Sequence, residues 1–284
     1  MKRNAIIIAA GTSSRFVPLS FEKPKGLIEV KGEVLIERQL RQLNEAGIDD
    51  ITIVVGYMAE KFAYLADKYR VQIVINEDYS RYNNTSSMIR VLDRLNNTYI
   101  CCSDQYYEKN PFLQDLQESA YAALFAKGET KEYCLDLDDI GQIQNVHIGG
   151  SDDWYMAGYA YFNKDFSNAF SKILKEEYQY EKMRQMYWED VYIKHLHNLP
   201  LMHVIKFADG DLVEFDSLDE LREFDTSYVE NTRSSLLKYI CYQMHCNQRD
   251  LKSFKKVNEQ LGMAFQFQFN ADNYLFKNGE ITRC

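Results

Sequence analysis

The first hundred residues alternate short, β-branched apolar runs with stretches of helical periodicity, and this alternation narrows the fold more than any other feature of the chain. Ala5 to Ala9, Ile51 to Val55, Val71 to Ile75 and Tyr99 to Cys102 read as strands, the first apolar enough to be buried on both faces. Leu35 to Ala46 reads as an amphipathic helix with Ile36, Leu40 and Leu43 on one side, and Met58 to Tyr69 and Ser87 to Leu95 also read as helices. Strands and helices taking turns at this spacing predict a Rossmann-like, three-layer α/β fold around a mixed, mainly parallel sheet. Ligands of such sheets bind beyond the carboxyl ends of the strands. That rule directs attention to the loops at Gly11, Asn83 and Asp104.

From Ala120 the pattern becomes richer in strands. Ala120 to Ala126, Tyr133 to Leu137, Gln144 to Ile148 and Trp154 to Phe162 read as strands, followed by helices over Phe166 to Tyr178 and Glu181 to Leu196. Met202 to Phe207 and Leu212 to Phe215 read as strands again, and Ser217-x-x-Glu220 is a capping box opening a helix over Leu218 to Phe224. Beyond about Asn231 the expectation is a small α+β appendage. It has a helix over Ser234 to His245, an alternating Phe-Gln-Phe-Gln-Phe strand at 265 to 269, and a hairpin turn at Lys277-Asn278-Gly279-Glu280. The expected division is 1–229 and 230–284.

Composition excludes several classes. With 46% hydrophobic and 26% charged residues among 284, a packed core is expected and disorder is not. A net charge of −9 argues against a nucleic-acid partner, which needs a basic face. The apolar runs are too short for membrane insertion, and the chain starts Met1-Lys-Arg with no signal-cleavage pattern, so it reads as cytoplasmic. The six cysteines form no C-x-x-C pair, and the five histidines show no ligand spacing. They read as reduced thiols and as structural or surface imidazoles.

The segment Ala9-Ala-Gly-Thr-Ser-Ser-Arg-Phe-Val-Pro-Leu-Ser-Phe-Glu-Lys-Pro-Lys25 directly follows the first strand. Gly11 lets backbone N–H groups approach phosphate oxygens, and Arg15 and Lys25 supply cations. The spacing fits neither a dinucleotide fingerprint nor a P-loop. Asp104 lies just past the fourth strand. Glu214 and Asp216, two apart in an extended segment, share a face. Three such carboxylates make a hard, all-oxygen set suited to Mg²⁺. Tyr82, Asn83, Asn84 and Ser87 offer the amides and hydroxyls that read a base edge or ribose. Tyr133, Trp154, Tyr155, Tyr187 and Trp188 cluster with Glu189 and Asp190, and ring faces beside a carboxylate suit a quaternary ammonium.

The Ala9–Lys25 segment resembles the signature loop of the nucleotidyltransferases that make NDP-sugars and CDP-alcohols. Leu35-Ile-Glu-Arg-Gln, Ala46-Gly-Ile-Asp-Asp-Ile, Val55-Gly-Tyr, Tyr82-Asn-Asn, Tyr187-Trp-Glu-Asp and Glu214-Phe-Asp-Ser extend the likeness to bacterial CTP:phosphocholine cytidylyltransferases, over about residues 3 to 225. The resemblance implies a nucleotidyltransferase fold and Mg²⁺-dependent transfer of CMP from CTP to phosphocholine. Lys25, Arg15 and Asp104 would be catalytic. Ala9, Ala10, Gly11, Thr12, Ser13, Arg15, Lys25 and the Tyr82–Ser87 group would bind nucleotide, and Asp104, Glu214 and Asp216 the metal. Tyr133, Tyr187, Trp188 and Glu189 would box the acceptor, with Trp154 and Asp190 beside them. The chain departs from the pattern at Cys102, where a further acidic residue is common, and at Tyr133, where tryptophan is expected. Phosphoethanolamine, 2-aminoethylphosphonate or a sugar 1-phosphate are alternative acceptors, and an inactive nucleotide-binding regulator is the alternative of another class. For the tail, homodimerisation, a lid role and the remnant of a fused partner are all open.

Overall fold

The structure, a computed structural model, describes residues 2–257 and 262–284. The chain forms two compact units: residues 1–11 with 36–213, and residues 12–35 with 214–284. Compactness therefore does not divide the chain at 229/230. The tail belongs to the same unit as the segment that follows Gly11.

The first unit is built on a nine-stranded sheet. Its parallel heart is β1 (Asn4–Ala9), β2 (Ile51–Val55), β3 (Gln72–Ile75) and β4 (Thr98–Cys102). β1 lies between β2 and β4, with Ile8 opposite Val54 on one side and Cys102 on the other. β5 (Ala120–Phe125), β6 (Glu129–Leu137), β7 (Ile143–Ser151) and β8 (Trp154–Phe162) extend it antiparallel through β8, which pairs with β4, β5 and β6. β9 (His203–Lys206) joins parallel to β5. The mixed, mainly parallel sheet expected in the core is present. β1 and β2 are apolar along nearly their whole length because both faces are covered.

Helices pack on those faces for readable reasons. α1 (Leu35–Glu45) buries Ile36, Leu40 and Leu43, and its Gln39 amide donates to the carbonyls of Cys102 and Gln105 at 2.8 Å each. α2 (Tyr64–Tyr69) precedes β3. On one side of the sheet, Ile6, Ile8 and Ile100 join Met88, Phe166, Phe170 and Trp188 in a single cluster.

Three helical expectations need correction. The helix expected over Met58 to Tyr69 is a 3-10 turn, Ala59–Phe62, followed by the shorter α2. The helix expected over Ser87 to Leu95 begins earlier, as α3 (Thr85–Met88), and tightens into a 3-10 stretch over Ile89–Arg94. The helix expected over Glu181 to Leu196 is broken into α5 (Glu181–Arg184) and α6 (Trp188–Lys194), after α4 (Lys164–Glu177). The break has a cause. The Thr85 hydroxyl lies 3.1–3.2 Å from the carbonyls of Met183, Arg184 and Met186, and Asn83 N–H donates to Arg184 at 2.9 Å. Carbonyls engaged by another loop leave helix α5 without continuation, and α6 starts afresh.

The second unit opens with Ser13 in the left-handed region (φ 48°) and a 3-10 turn, Ser14–Phe16; the Val17–Pro18 peptide is cis. α7 (Leu218–Phe224) has half of the expected capping box: the Ser217 side chain accepts Glu220 N–H at 3.2 Å, while the Glu220 carboxylate accepts the Asp216 N–H at 2.8 Å. The tail supplies α8 (Ser235–Met244) and a four-stranded antiparallel sheet: β10 (Lys252–Lys256), β11 (Ala264–Phe269), β12 (Asp272–Lys277) and β13 (Glu280–Arg283). Phe265 and Phe267 are buried while Gln266 and Gln268 are exposed, as their alternation requires. Lys277 pairs with Glu280 around Asn278 (φ 48°) and Gly279 (φ 100°), two positive φ angles that suit a tight hairpin turn. Among the described residues no helix is long and apolar enough to cross a membrane.

Candidate active site

In the first unit, parallel β1 and β4 end side by side. Ala9, Ala10 and Gly11 leave the sheet beyond Ile8, and Asp104 leaves it in the turn after Cys102. Ser103 N–H ties that turn back to the Ile8 carbonyl at 3.1 Å. The next strand, β2, leads to Gly56, where a Cβ would come 2.6 Å from Tyr79 and 2.9 Å from the Ala10 carbonyl. Only glycine lets the chain after β2 pass so close to the Gly11 loop, and Tyr57 N–H then donates to Ala10 at 3.1 Å. Three strand ends thus fix the start of the loop.

The loop after β3 is locked to the start of α6. Asn84 accepts the Trp188 N–H at 2.7 Å through its carboxamide oxygen and donates to Glu189 at 3.3 Å through its nitrogen. Asn83 accepts Asn84 N–H at 2.8 Å, and Tyr82 donates to Glu181 at 3.3 Å. Ser87 is buried and accepts from the buried Asn76 amide at 3.0 Å. Asn76 also bonds Ser86 and receives Arg90, so it organises this whole loop. No periodicity or motif marks it.

Next to this clamp sit the aromatic and acidic residues. Tyr133 donates its phenol proton to Asp190 at 2.8 Å, and the other Asp190 oxygen accepts Tyr187 N–H at 2.8 Å. Tyr121, also unmarked in the sequence, donates to Glu189 at 3.3 Å and stacks on Trp188 with centroids 5.8 Å apart. Burial, opposed by the bonds from Asn84 and Tyr121, pushes the Glu189 carboxyl up to about 7. Burial and the bond to Asp190 raise the Tyr133 phenol, so it stays a donor at neutral pH. Tyr187 is 49% exposed, and Trp154 is half-buried with the Lys206 ammonium 4.8 Å from its ring. Trp188 is only 2% exposed, enclosed by Tyr121, Phe162 and Phe170. Its rings face the protein's own core.

In the second unit, Arg15 and Lys25 flank Asp216. Arg15 meets one carboxylate oxygen at 2.5 Å and Lys25 the other at 3.8 Å. The Arg15 side chain is 76% exposed and that of Lys25 only 6%, so the two cations differ sharply in solvation. Phe215 is buried, Glu214 is exposed and Asp216 is partly exposed, with the strand ending at Glu214. Thr12 and Ser13 lead into this cluster, the Ser13 carbonyl accepting Phe16 N–H at 2.9 Å.

Comparisons with known proteins identify the family. Residues 5–135 match the MobA-like NTP transferase domain. The chain is 36% identical over 238 residues to the 2-aminoethylphosphonate cytidylyltransferase of Lancefieldella rimae, covering 82% of this chain and 96% of that relative. It is 31% identical to the choline-phosphate cytidylyltransferase of Streptococcus pneumoniae, covering 78% and 96%. The chain belongs to the cytidylyltransferase family of nucleotidyltransferases. The solved structure of the Streptococcus pneumoniae CTP:phosphocholine cytidylyltransferase superimposes with a TM-score of 0.77 at 30% identity, covering 80% of this chain and 99% of that one. The α/β nucleotidyltransferase fold expected from the sequence is thereby shown, and the chain is a nucleotidyltransferase.

Proposed function

We propose that this cytidylyltransferase-family enzyme transfers CMP from CTP to a small acceptor bearing an amine and a phosphonate or phosphate group. An acceptor oxygen attacks the α-phosphorus, the bond to the β-phosphate bridge breaks, and pyrophosphate leaves. The acceptor oxygen is already anionic near neutral pH, so catalysis reduces largely to positioning and charge stabilisation. Backbone N–H groups of residues 9–13 would cradle the triphosphate, with Lys25 and Arg15 offsetting its charge. Tyr82 and Asn83 of the Tyr82–Ser87 loop would read the cytidine, while the Asn84 carboxamide is turned to Trp188 and Glu189 and Ser87 is buried against Asn76. Asp104, Glu214 and Asp216 offer the hard oxygen donors that fit Mg²⁺. Bound there, the ion would neutralise charge on phosphate oxygens.

The observation that carries the acceptor class is the pair Glu189 and Asp190, held by Asn84, Tyr121 and Tyr133. The pair favours a primary ammonium, as in 2-aminoethylphosphonate, because carboxylate oxygens accept N–H bonds that a quaternary ammonium cannot donate. Phosphocholine is the second reading, favoured by the ring faces of Tyr133, Tyr187 and Trp154. Pyrophosphate release from CTP with each acceptor separates them. A kcat/KM for 2-aminoethylphosphonate above those for phosphoethanolamine and phosphocholine supports the first reading. Faster turnover of phosphocholine establishes the second, and no release with any acceptor overturns both.

A further inference from the structure

Behind the strand that carries Tyr133 lies a second group of metal-binding side chains. Cys134 is the next residue on β6, so it points to the opposite face of the sheet from Tyr133. His147 on β7 is its direct cross-strand partner, and Asp153 comes from the turn that joins β7 to β8. One donor atom from each of the three lies within 4.8 Å of the others. Such a thiol, imidazole and carboxylate set is invisible to a search for Cys and His spacing, because sheet register assembles it.

We infer that Cys134, His147 and Asp153 form a binding site for a thiophilic divalent transition metal of the Zn²⁺ class, separate from the proposed catalytic Mg²⁺ ligands. The histidine geometry is directional. Its Nε2 faces the Asp153 carboxylate at 3.7 Å, close to the roughly 3.5 Å that separates ligands of a tetrahedral zinc ion. Its Nδ1 faces Asp136 at 3.6 Å, and Asn145 fixes that carboxylate by donating to its second oxygen at 2.9 Å. A carboxylate behind a ligating imidazole sets its tautomer and raises its basicity. Room for an ion comes from Gly150, where a Cβ would sit 3.0 Å from the Cys134 sulfur and 3.4 Å from Asp153 Oδ2. A register shift between Ile148 and Gly150 brings that glycine to the donors.

The negative charge around the site attracts a cation, although it also disfavours the free thiolate. Burial, then the carboxylates of Asp153, Glu132 and Asp136, hold the Cys134 thiol above its ordinary range. The same carboxylates attract a cation, and on coordination the thiol releases its proton to solvent. The His147 and Asp153 side chains remain 40% and 31% exposed, leaving an entry path and a fourth position for water. Thiolate and imidazole select Zn²⁺ or Co²⁺ over Mg²⁺. An ion here would pin β6 to β7 and the β8 turn, behind the strand that presents Tyr133 to Asp190.

The test titrates the full chain, freed of metal by chelation, with Co²⁺ in excess Mg²⁺ and follows sulfur-to-cobalt charge-transfer absorption. One Co²⁺ per chain with that absorption, displaced by Zn²⁺, is the expected result. Cys134→Ser should abolish the absorption, and His147→Ala, Asp153→Asn and Gly150→Ala should each weaken binding by about tenfold or more. His147→Ala and Asp153→Asn alter partly exposed side chains, so folding of these variants, checked by circular dichroism, keeps the comparison sound. Charge-transfer absorption that persists in Cys134→Ser, or affinity unchanged in both His147→Ala and Asp153→Asn, overturns the site. So does cobalt binding without any sulfur signature.

Discussion

Asn84 holds Trp188 by the backbone, its carboxamide oxygen accepting that N–H at 2.7 Å while its nitrogen reaches Glu189. One side chain thereby caps a helix and orients a carboxylate of the proposed acceptor site. In Asn84→Ala both groups lose a partner, at a cost of about 1–3 kcal/mol. A thermal melt should record a fall of about 2–8 °C for a chain of this length. The acceptor KM should rise more than the CTP KM, and an unchanged KM ratio would detach Asn84 from the acceptor.

The Glu189 carboxyl supplies a pH prediction with a defined sign. Its folded value, about 7, lies above the ordinary 4.5, so the folded state binds the proton more tightly than the unfolded one. Its contribution to stability therefore declines as pH rises from about 4.5 to about 7 and is constant outside that window. Ammonium binding runs the other way, since the ionised carboxylate attracts it. The acceptor KM should fall as pH rises through about 7, and Glu189→Gln should flatten that profile. A profile identical in the variant would remove Glu189 as its source.

Lys25 and Arg15 contact the same carboxylate from different environments, so their loss should read out differently. Lys25, 6% exposed, acts where water screens little, and Lys25→Ala should lower turnover by about 10² or more. Arg15, 76% exposed, should act mainly through nucleotide binding. Arg15→Ala should raise the CTP KM, with a difference from wild type that shrinks as salt increases. Steady-state kinetics at two ionic strengths checks both expectations.

At Gly56 a single methyl is enough to disturb the Gly11 loop. The added carbon would press on Tyr79 at 2.6 Å and on the Ala10 carbonyl at 2.9 Å, neither of which is a flexible chain end. Gly56→Ala should cost about 1–3 kcal/mol and weaken CTP binding as well. Differential scanning calorimetry together with nucleotide titration tests the pair of effects. Lower stability with intact CTP affinity would show that the loop tolerates the push.

What could be read from the sequence was whatever repeats along it. Ile51–Val55 and Trp154–Phe162 have the bounds expected, because continuous apolar runs and turn residues mark their ends. The Asn278-Gly279 turn and the Ser217 cap were equally legible, each resting on local chemistry. The broken helix at 185–187 was not, since Thr85 and Asn83 act from a hundred residues away. Tyr121 and Asn76 lie in ordinary apolar or polar surroundings in the sequence and gain meaning only through Glu189, Ser86 and Ser87. Trp188 sits beside Glu189 in sequence, yet it faces the core, as an amphipathic helix allows for neighbouring positions.

The tail is anchored on the cation-bearing segment. Glu22 accepts from the Ser234 hydroxyl at 2.7 Å and from the N–H groups of Ser235 and Leu236 at 2.9 and 2.8 Å, closing the start of α8, while Phe21 packs on Phe265. Glu22 stands three positions before Lys25, so the C-terminal sheet and helix serve as the mould in which that lysine is set. A change near the far end of the polypeptide would therefore be felt first about two hundred residues earlier, in the 21–25 segment.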